Sequence, residues 1–350
     1  MKFKRILALV LAVMLLSISF TGCGEDTTYV AEVGGDKLPV GIYIFAMLDS
    51  YAAAINNLSQ SGVELTDVKD VLKQQIDGED ASQWIINETV KVVRQYIAIG
   101  KKFNEMGLSL TDDQNAQIAV SVDETWTNNG EYLEKNGISK DSVKRVIETS
   151  MMMTTLFDKF YAEGGSEAVS DEDLLKYFDE NYAKVSYFGI YTADMNDEQK
   201  ATAKANYEGY IQKLNEGANF AEVLAEAQKS QLTGEELENF EADLTITEED
   251  YADVVKKGDT TYYVEEFLNA VFEADFDTWF FADVEPAYFV IKKFDVSNNP
   301  EVFEKYKAEI LQTLKQPEFE QKVETWADEY NVALNEAVIN KYIPKKLKLS

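Results

Sequence analysis

The residue types that carry most enzyme chemistry are scarce in this sequence. Its 350 residues contain no histidine and a single cysteine, Cys23. The absence of imidazole removes Ser-His-Asp and Cys-His catalysis, His-ligated zinc and any imidazole acid–base step. A lone thiol can form no disulfide within the chain, so stability must come from packing. Carboxylates are plentiful, 63 against 33 Lys and Arg, but no twelve-residue calcium loop of the EF-hand type is present. Val33-Gly34-Gly35-Asp36 is a turn, too short for a phosphate-cradling or dinucleotide loop. No cofactor and no metal is expected.

The chemistry that is readable belongs to Cys23. Lys2, Lys4 and Arg5 make a basic start, Ile6 to Phe20 is an apolar run broken only by Ser17 and Ser19, and Phe20-Thr21-Gly22-Cys23 closes it. That is the layout of a secretory signal, and the apolar run is shorter than the roughly 20 residues of a membrane-spanning helix. Thr21-Gly22-Cys23 resembles the lipobox of bacterial lipoproteins, in which the cysteine is acylated and becomes the first residue. Phe20 departs from the Leu usual at the first position of that box. The alternatives are an uncleaved anchor helix or a plain signal peptide with a chance cysteine. The expected location is the outer face of the cytoplasmic membrane, with lipid on Cys23.

Charge narrows the partners. Without Lys2, Lys4 and Arg5 the remaining 30 basic residues face 63 acidic ones, a net charge of −33. Such a surface repels nucleic acid. It also disfavours adhesion of protein side chains to anionic lipid, which leaves the anchoring to the acyl chain. Nine acids between Glu235 and Asp253 read as a solvated edge.

The elements that must position any site follow from periodicity. Tyr29 to Val33 reads as a strand, Gly34-Gly35-Asp36 as a tight turn and Lys37-Leu38 as the return. A helix from Pro39 to about Leu58 is apolar on most faces and so must be buried on most faces. A short helix near Val68 to Ile76 and a long one over residues 81–106 come next. Thr111-Asp112-Asp113-Gln114 is a capping box, and Ser139 caps a helix containing Met151-Met152-Met153. Such a Met cluster is more often core filler than a pliable client surface. Gly164-Gly165-Ser166 reads as a hinge, and Ser170 caps a helix through Tyr182. The period then changes. Lys184 to Tyr191 reads as a strand, and residues 197–215 and 220–229 as helices. Residues 231–259 read as an acidic loop, and 264–273 as a helix. Residues 275–281 and 287–294 read as strands. Pro300 opens a long helix to about Tyr330, interrupted near Pro317, with a short alternating piece over 332–335 and a last helix after it.

The order of these segments resembles the PrsA/SurA-type foldases. Val30-Ala31-Glu32-Val33-Gly34-Gly35-Asp36-Lys37-Leu38 is similar to their opening strand and turn. Gly107-Leu108-Ser109-Leu110-Thr111-Asp112 and Val169-Ser170-Asp171-Glu172 are similar to joints of their helical chaperone domain. Leu214 to Glu222, Val264 to Phe272 and Ala287 to Lys292 resemble the helix joint, pocket helix and last strand of a parvulin peptidyl-prolyl isomerase. The tail with Trp326, Tyr330 and residues 332–335 resembles the segment that folds back onto the chaperone domain. The resemblance implies an α+β fold: a mainly helical SurA-like domain over residues 29–182, completed by 296–350, with a parvulin-like domain inserted over 183–295. Residues 1–22 would be the signal and 23–28 a tether.

It also implies a site, and the departures at that site matter most. Parvulins keep two histidines on adjacent central strands; Tyr187 stands at the first position and Phe289 at the second. Tyr263 stands at the family's pocket Met, Phe267 is retained at the pocket Phe, and no counterpart of the family's Cys or Asp is found. Each of the four aromatic residues also reads as plain core. Prolyl isomerisation breaks no bond and has a barrier of roughly 18–20 kcal/mol, which an apolar slot with directed hydrogen bonds can lower. Tyr187 can donate one; Phe289 cannot. The expectation is an anchored foldase or chaperone with a silent isomerase domain. It would hold unfolded secreted proteins in an apolar groove between the helical domain and the tail, and a homodimer is left open. The alternatives are an active prolyl isomerase and a solute-binding lipoprotein of a transporter. The latter would need strand–helix alternation in two lobes, which the helical first half argues against.

Overall fold

A computed structural model of the protein describes residues 28–296 and 300–349. Cys23 and the leader lie outside the described residues. The chain is α+β and folds as two units. One takes the residues up to Ala168 together with those from Thr313 onward; the other is Val169–Gln312.

In the first unit, β1 (Tyr29–Val33) and β2 (Asp36–Pro39) form an antiparallel hairpin. Its turn places Gly34 and Gly35 at φ of 61° and 88°, a region L side chains rarely adopt, which is why two glycines stand there. Helix α1 (Val40–Gln60) follows directly, with Ile42, Tyr43, Ile44, Phe45, Met47 and Leu48 all buried. A helix this apolar needs neighbours on nearly every side. They come from α2 (Ala81–Glu105) and α4 (Lys140–Tyr161), while α3 (Asp112–Lys135) packs on α4. Gly41 lets α1 approach α4: a Cβ there would stand 2.4 Å from Ser142 Oγ. The expected capping box is formed in full between Thr111 and Gln114. A 3-10 turn, Val68–Lys73, and the two-residue strands β3 (Gln75–Ile76) and β4 (Glu79–Asp80) replace the helix expected over 68–76.

The C-terminal residues complete this unit. Leu334 bridges Ala31, and the Asn335 N–H donates to Val30 O at 2.8 Å. Phe319 and Trp326 pack against Phe157, Phe160 and Tyr161 of α4. Met151, Met152 and Met153 are half-buried in α4.

The second unit opens with α5 (Asp171–Asn181), then β5 (Tyr182–Tyr191). Helices α6 (Asp197–Asn215), α7 (Phe220–Lys229) and α8 (Gly234–Glu238) follow. The chain then passes a 3-10 turn, Glu249–Tyr251, into β6 (Ala252–Lys256), α9 (Glu265–Glu273), β7 (Trp279–Val284) and β8 (Ala287–Phe294). The four strands form one antiparallel sheet in the order β6-β5-β8-β7. Strand alternation separates two cores. Phe188, Ile190, Tyr288 and Val290 face α6 and α7 with Trp279, while Val185, Ile291 and Ala282 face Phe267, Leu268 and Val271 of α9.

Three segments differ from the sequence reading. The stretch expected to be an acidic loop contains α8 and β6; Lys184 and Lys292 draw Glu249 and Glu248 onto the sheet at 2.5 and 2.8 Å, and this brings β6 into register with β5. Strand β7 begins at Trp279, later than expected, where the Asn215 side chain bonds both the N–H and the C=O of Trp279 at 2.9 Å. Helix α10 (Pro300–Tyr330) runs through Pro317 without a break. Packing by Phe319 and Trp326 offsets the one backbone bond that proline removes. The units also divide elsewhere than the expected 182/183 and 295/296. Helix α5 lies with the second unit because Phe178 packs on Tyr182, Phe303 and Tyr306.

Candidate functional site

The four aromatic residues singled out from the sequence come together on the α9 face of the sheet. Strand β5 carries Tyr187, β8 carries Phe289 and α9 carries Phe267; Tyr263 lies in the turn just before α9. Phe267 is the hub, 2% exposed. Its ring lies 5.1 Å from Tyr263 in a near-parallel stack, 5.3 Å from Tyr187 and 5.2 Å from Phe289, the last two edge-on. These are contact separations for aromatic pairs, so no slot the width of a prolyl ring lies between the hub and its neighbours. Tyr187, Tyr263 and Phe289 are half-buried around it. Gly189, opposite Phe289 across the ladder, leaves room for that ring; a Cβ would stand 2.7 Å from Phe289 Cδ1.

A carboxylate that the sequence reading did not find completes the cluster. Asp253, on β6, pairs with Val185 of β5 and accepts a hydrogen bond from the Tyr263 hydroxyl at 2.5 Å. The Tyr263 and Tyr187 hydroxyls are 3.2 Å apart. A phenol has one proton. Tyr263 gives its own to Asp253, so Tyr187 is the donor to Tyr263, and the chain runs Tyr187 to Tyr263 to Asp253. Burial, reinforced by the bonds to Asp253 and Tyr187, raises the Tyr263 hydroxyl well above the ordinary phenol range, so it stays protonated at neutral pH. Both hydroxyl protons are therefore committed inside the cluster. Phe289 has none to offer. The arrangement can bind apolar groups on its rim, but both of its phenolic protons are already donated within it.

Each unit carries a cleft of its own. In the first unit a cleft of about 550 Å³ runs between the hairpin, α2 and α4, lined by Leu38, Tyr96, Ile97, Arg145 and Met152 among others. Arg145 is held there by Asp36 at 2.7 Å and the Lys37 carbonyl at 3.2 Å. In the second unit a cleft of about 500 Å³ opens between β5 and α7, with Tyr187 and Gly189 on one side, Leu224 and Ala227 on another, and Asp250 to Asp253 at its rim. No group of carboxylates among the described residues is arranged to hold a metal ion. No helix of the described residues is long and apolar enough to cross a membrane.

No protein-family model and no curated protein matches the sequence. Several solved structures are similar to the chain. The foldase PrsA of Streptococcus pneumoniae is 18% identical, covers 75% of this chain and 88% of its own, and superposes with a TM-score of 0.35. That of Lactococcus lactis is 13% identical, covers 89% and 96%, and gives 0.34. The peptidylprolyl isomerase PrsA of Bacillus anthracis is 17% identical, covers 70% and 98%, and gives 0.27. All three are PrsA foldases. The superpositions are loose, every TM-score lying below 0.5.

Proposed function

We propose that this protein is an extracytoplasmic foldase of the chaperone kind, tethered by lipid on Cys23, whose parvulin-like unit is silent as an isomerase. The observation that carries the silent reading is the hydrogen-bond chain from Tyr187 through Tyr263 to Asp253. It uses both phenolic protons internally, and the close ring contacts of Phe267 with its three neighbours support a cluster packed as core. The holding function is supported by the half-buried aromatic rim of that cluster and by the partly apolar cleft in the helical unit. Weak capture of unfolded segments needs such surfaces and no catalytic group.

The test uses the full mature chain in two assays. It is expected to slow aggregation of a thermally unfolded client followed by light scattering, and to leave the cis/trans relaxation of a proline test peptide at its uncatalysed rate. Acceleration of that relaxation would overturn the silent reading; failure to slow aggregation would overturn the chaperone reading. The anchor is tested separately. Cells fed labelled palmitate are expected to incorporate label into the wild-type chain and not into Cys23→Ser, and equal labelling of both would reject the tether.

A further inference from the structure

Strand β5 is longer than its partner on one side. Strand β8 pairs with it from Lys184 to Tyr191, whereas β6 pairs only from Tyr182 to Ser186. On the β6 side, the 3-10 turn Glu249–Tyr251 approaches β5 just beyond Ser186, and among the described residues no strand lies opposite Tyr187–Tyr191. The parity of the ladder shows which groups face that open side. The Thr192 N–H donates to Pro286 O at 2.7 Å, in step with the antiparallel register to β8. Even-numbered residues of β5 thus exchange their bonds with β8, and odd-numbered ones turn their N–H and C=O the other way. Val185 meets Asp253 there. Gly189 and Tyr191 meet no strand. Among the described residues the Gly189 carbonyl accepts only from the Gln231 amide, at 3.5 Å, and that same amide is 3.3 Å from the Tyr207 hydroxyl and 3.4 Å from Ala227 O. All three lie at the outer limit of a hydrogen bond, a contact that an incoming N–H would readily displace.

This open edge is the side of the second unit's 500 Å³ cleft. Leu224 and Ala227 give the cleft an apolar wall, and Asp250 and Asp253 stand exposed at its rim. The Thr247 N–H and hydroxyl both bond the Asp250 carboxylate at 2.8 Å and keep it ionised. The nearest sheet lysines do not neutralise this rim, because Lys184 and Lys292 are engaged by Glu249 and Glu248. An unpaired strand edge is a template for another strand. With an apolar wall on one side and fixed negative charge at the mouth, the strand it suits is extended, apolar on alternate residues and cationic between them.

We infer that the open edge of β5 at Tyr187–Tyr191 docks an extended, Lys- or Arg-bearing segment of an unfolded polypeptide, which adds as a strand in line with β6. This rests on the reading of the protein as a foldase and names where, in the second unit, a client would be held.

The probe is a short fluorescent peptide of alternating lysine and valine, titrated onto the full mature chain by anisotropy. Three changes are each expected to weaken binding about tenfold, the loss of two backbone hydrogen bonds or of the charge match. They are N-methylation of alternate peptide residues, replacement of lysine by glutamate in the peptide, and Tyr191→Pro in the protein. Tyr191 is 62% exposed and its N–H points away from β8, so proline there blocks the edge without removing a ladder bond. The N-methylated peptide tests the same point on the unaltered protein should that variant fold poorly. Equal binding of the plain and N-methylated peptides would overturn the proposal, as would wild-type protein that slows client aggregation yet binds no peptide. A dimer that Tyr191→Pro converts to monomer in sedimentation would overturn it in favour of a second copy at this edge. Failure of the foldase reading itself would show separately, in the aggregation assay.

Discussion

Phe267→Ala is expected to destabilise the second unit by about 3–5 kcal/mol, the range for removing a large buried aromatic side chain. Phe267 is 2% exposed and touches three other rings. Deleting it leaves a cavity bounded by Tyr187, Tyr263 and Phe289, and each lost aromatic pair adds about 0.5–1.5 kcal/mol beyond area burial. The hydroxyl chain should loosen with it, because the Tyr263 ring is held in place by its stack on Phe267 while its oxygen bonds Asp253. A chain of two units has no single unfolding free energy, so the measurement is local. Hydrogen exchange of the β5 and β8 amides should speed up markedly in the variant, while α1 and α2 of the other unit keep their protection. Unchanged exchange in β5 would mean that the ring cluster is not what holds the sheet to α9.

The second large effect concerns pH. Asp49 lies part-buried on α1, a helix that is otherwise apolar along its first three turns, and no cation faces it among the described residues. Burial raises its carboxyl from the ordinary 3.8 to about 7. The folded chain therefore holds a proton on Asp49 between those two values that the unfolded chain has released. The contribution of this group to stability is fully present below about pH 4, declines as pH rises and is lost on passing pH 7. With 1.36 kcal/mol per pKa unit, the full span is on the order of 4 kcal/mol. Asp49→Asn, which keeps the shape and cannot ionise, should match wild type near pH 4 and be clearly the more stable at pH 8. Thermal melts of both proteins at the two pH values decide it. A stability difference that is the same at both would show that Asp49 is solvated in the folded chain.

The two units differ in how much of them was legible in the sequence. The helices of the first unit announce themselves, because a 3.6-residue apolar period and a cap such as Thr111 with Gln114 are local properties. Strand β6 did not. Ala252-Asp253-Val254-Val255-Lys256 is short, sits at a sheet edge and follows a run of acids, so its alternation is weak. It forms a strand because β5 supplies a partner and Lys184 and Lys292 pin the turn before it. Pro317 reads as a break, yet aromatic packing from residues far away in sequence carries the helix past it.

The same division runs through the site. Residue types alone determined what chemistry the protein cannot do: a chain without histidine has no imidazole, whatever its fold. Family resemblance named Tyr187, Tyr263, Phe267 and Phe289, since each sits inside a segment with its own local pattern. Asp253 escaped because its place beside Tyr263 is set by cross-strand register with Val185 and not by any spacing along the chain. The direction of the hydroxyl chain and the open edge of β5 were likewise decided only by the tertiary structure. Both depend on which backbone and side-chain protons find partners, and partners are assigned by folding. Composition limits the groups available; three-dimensional pairing determines which of them remain free.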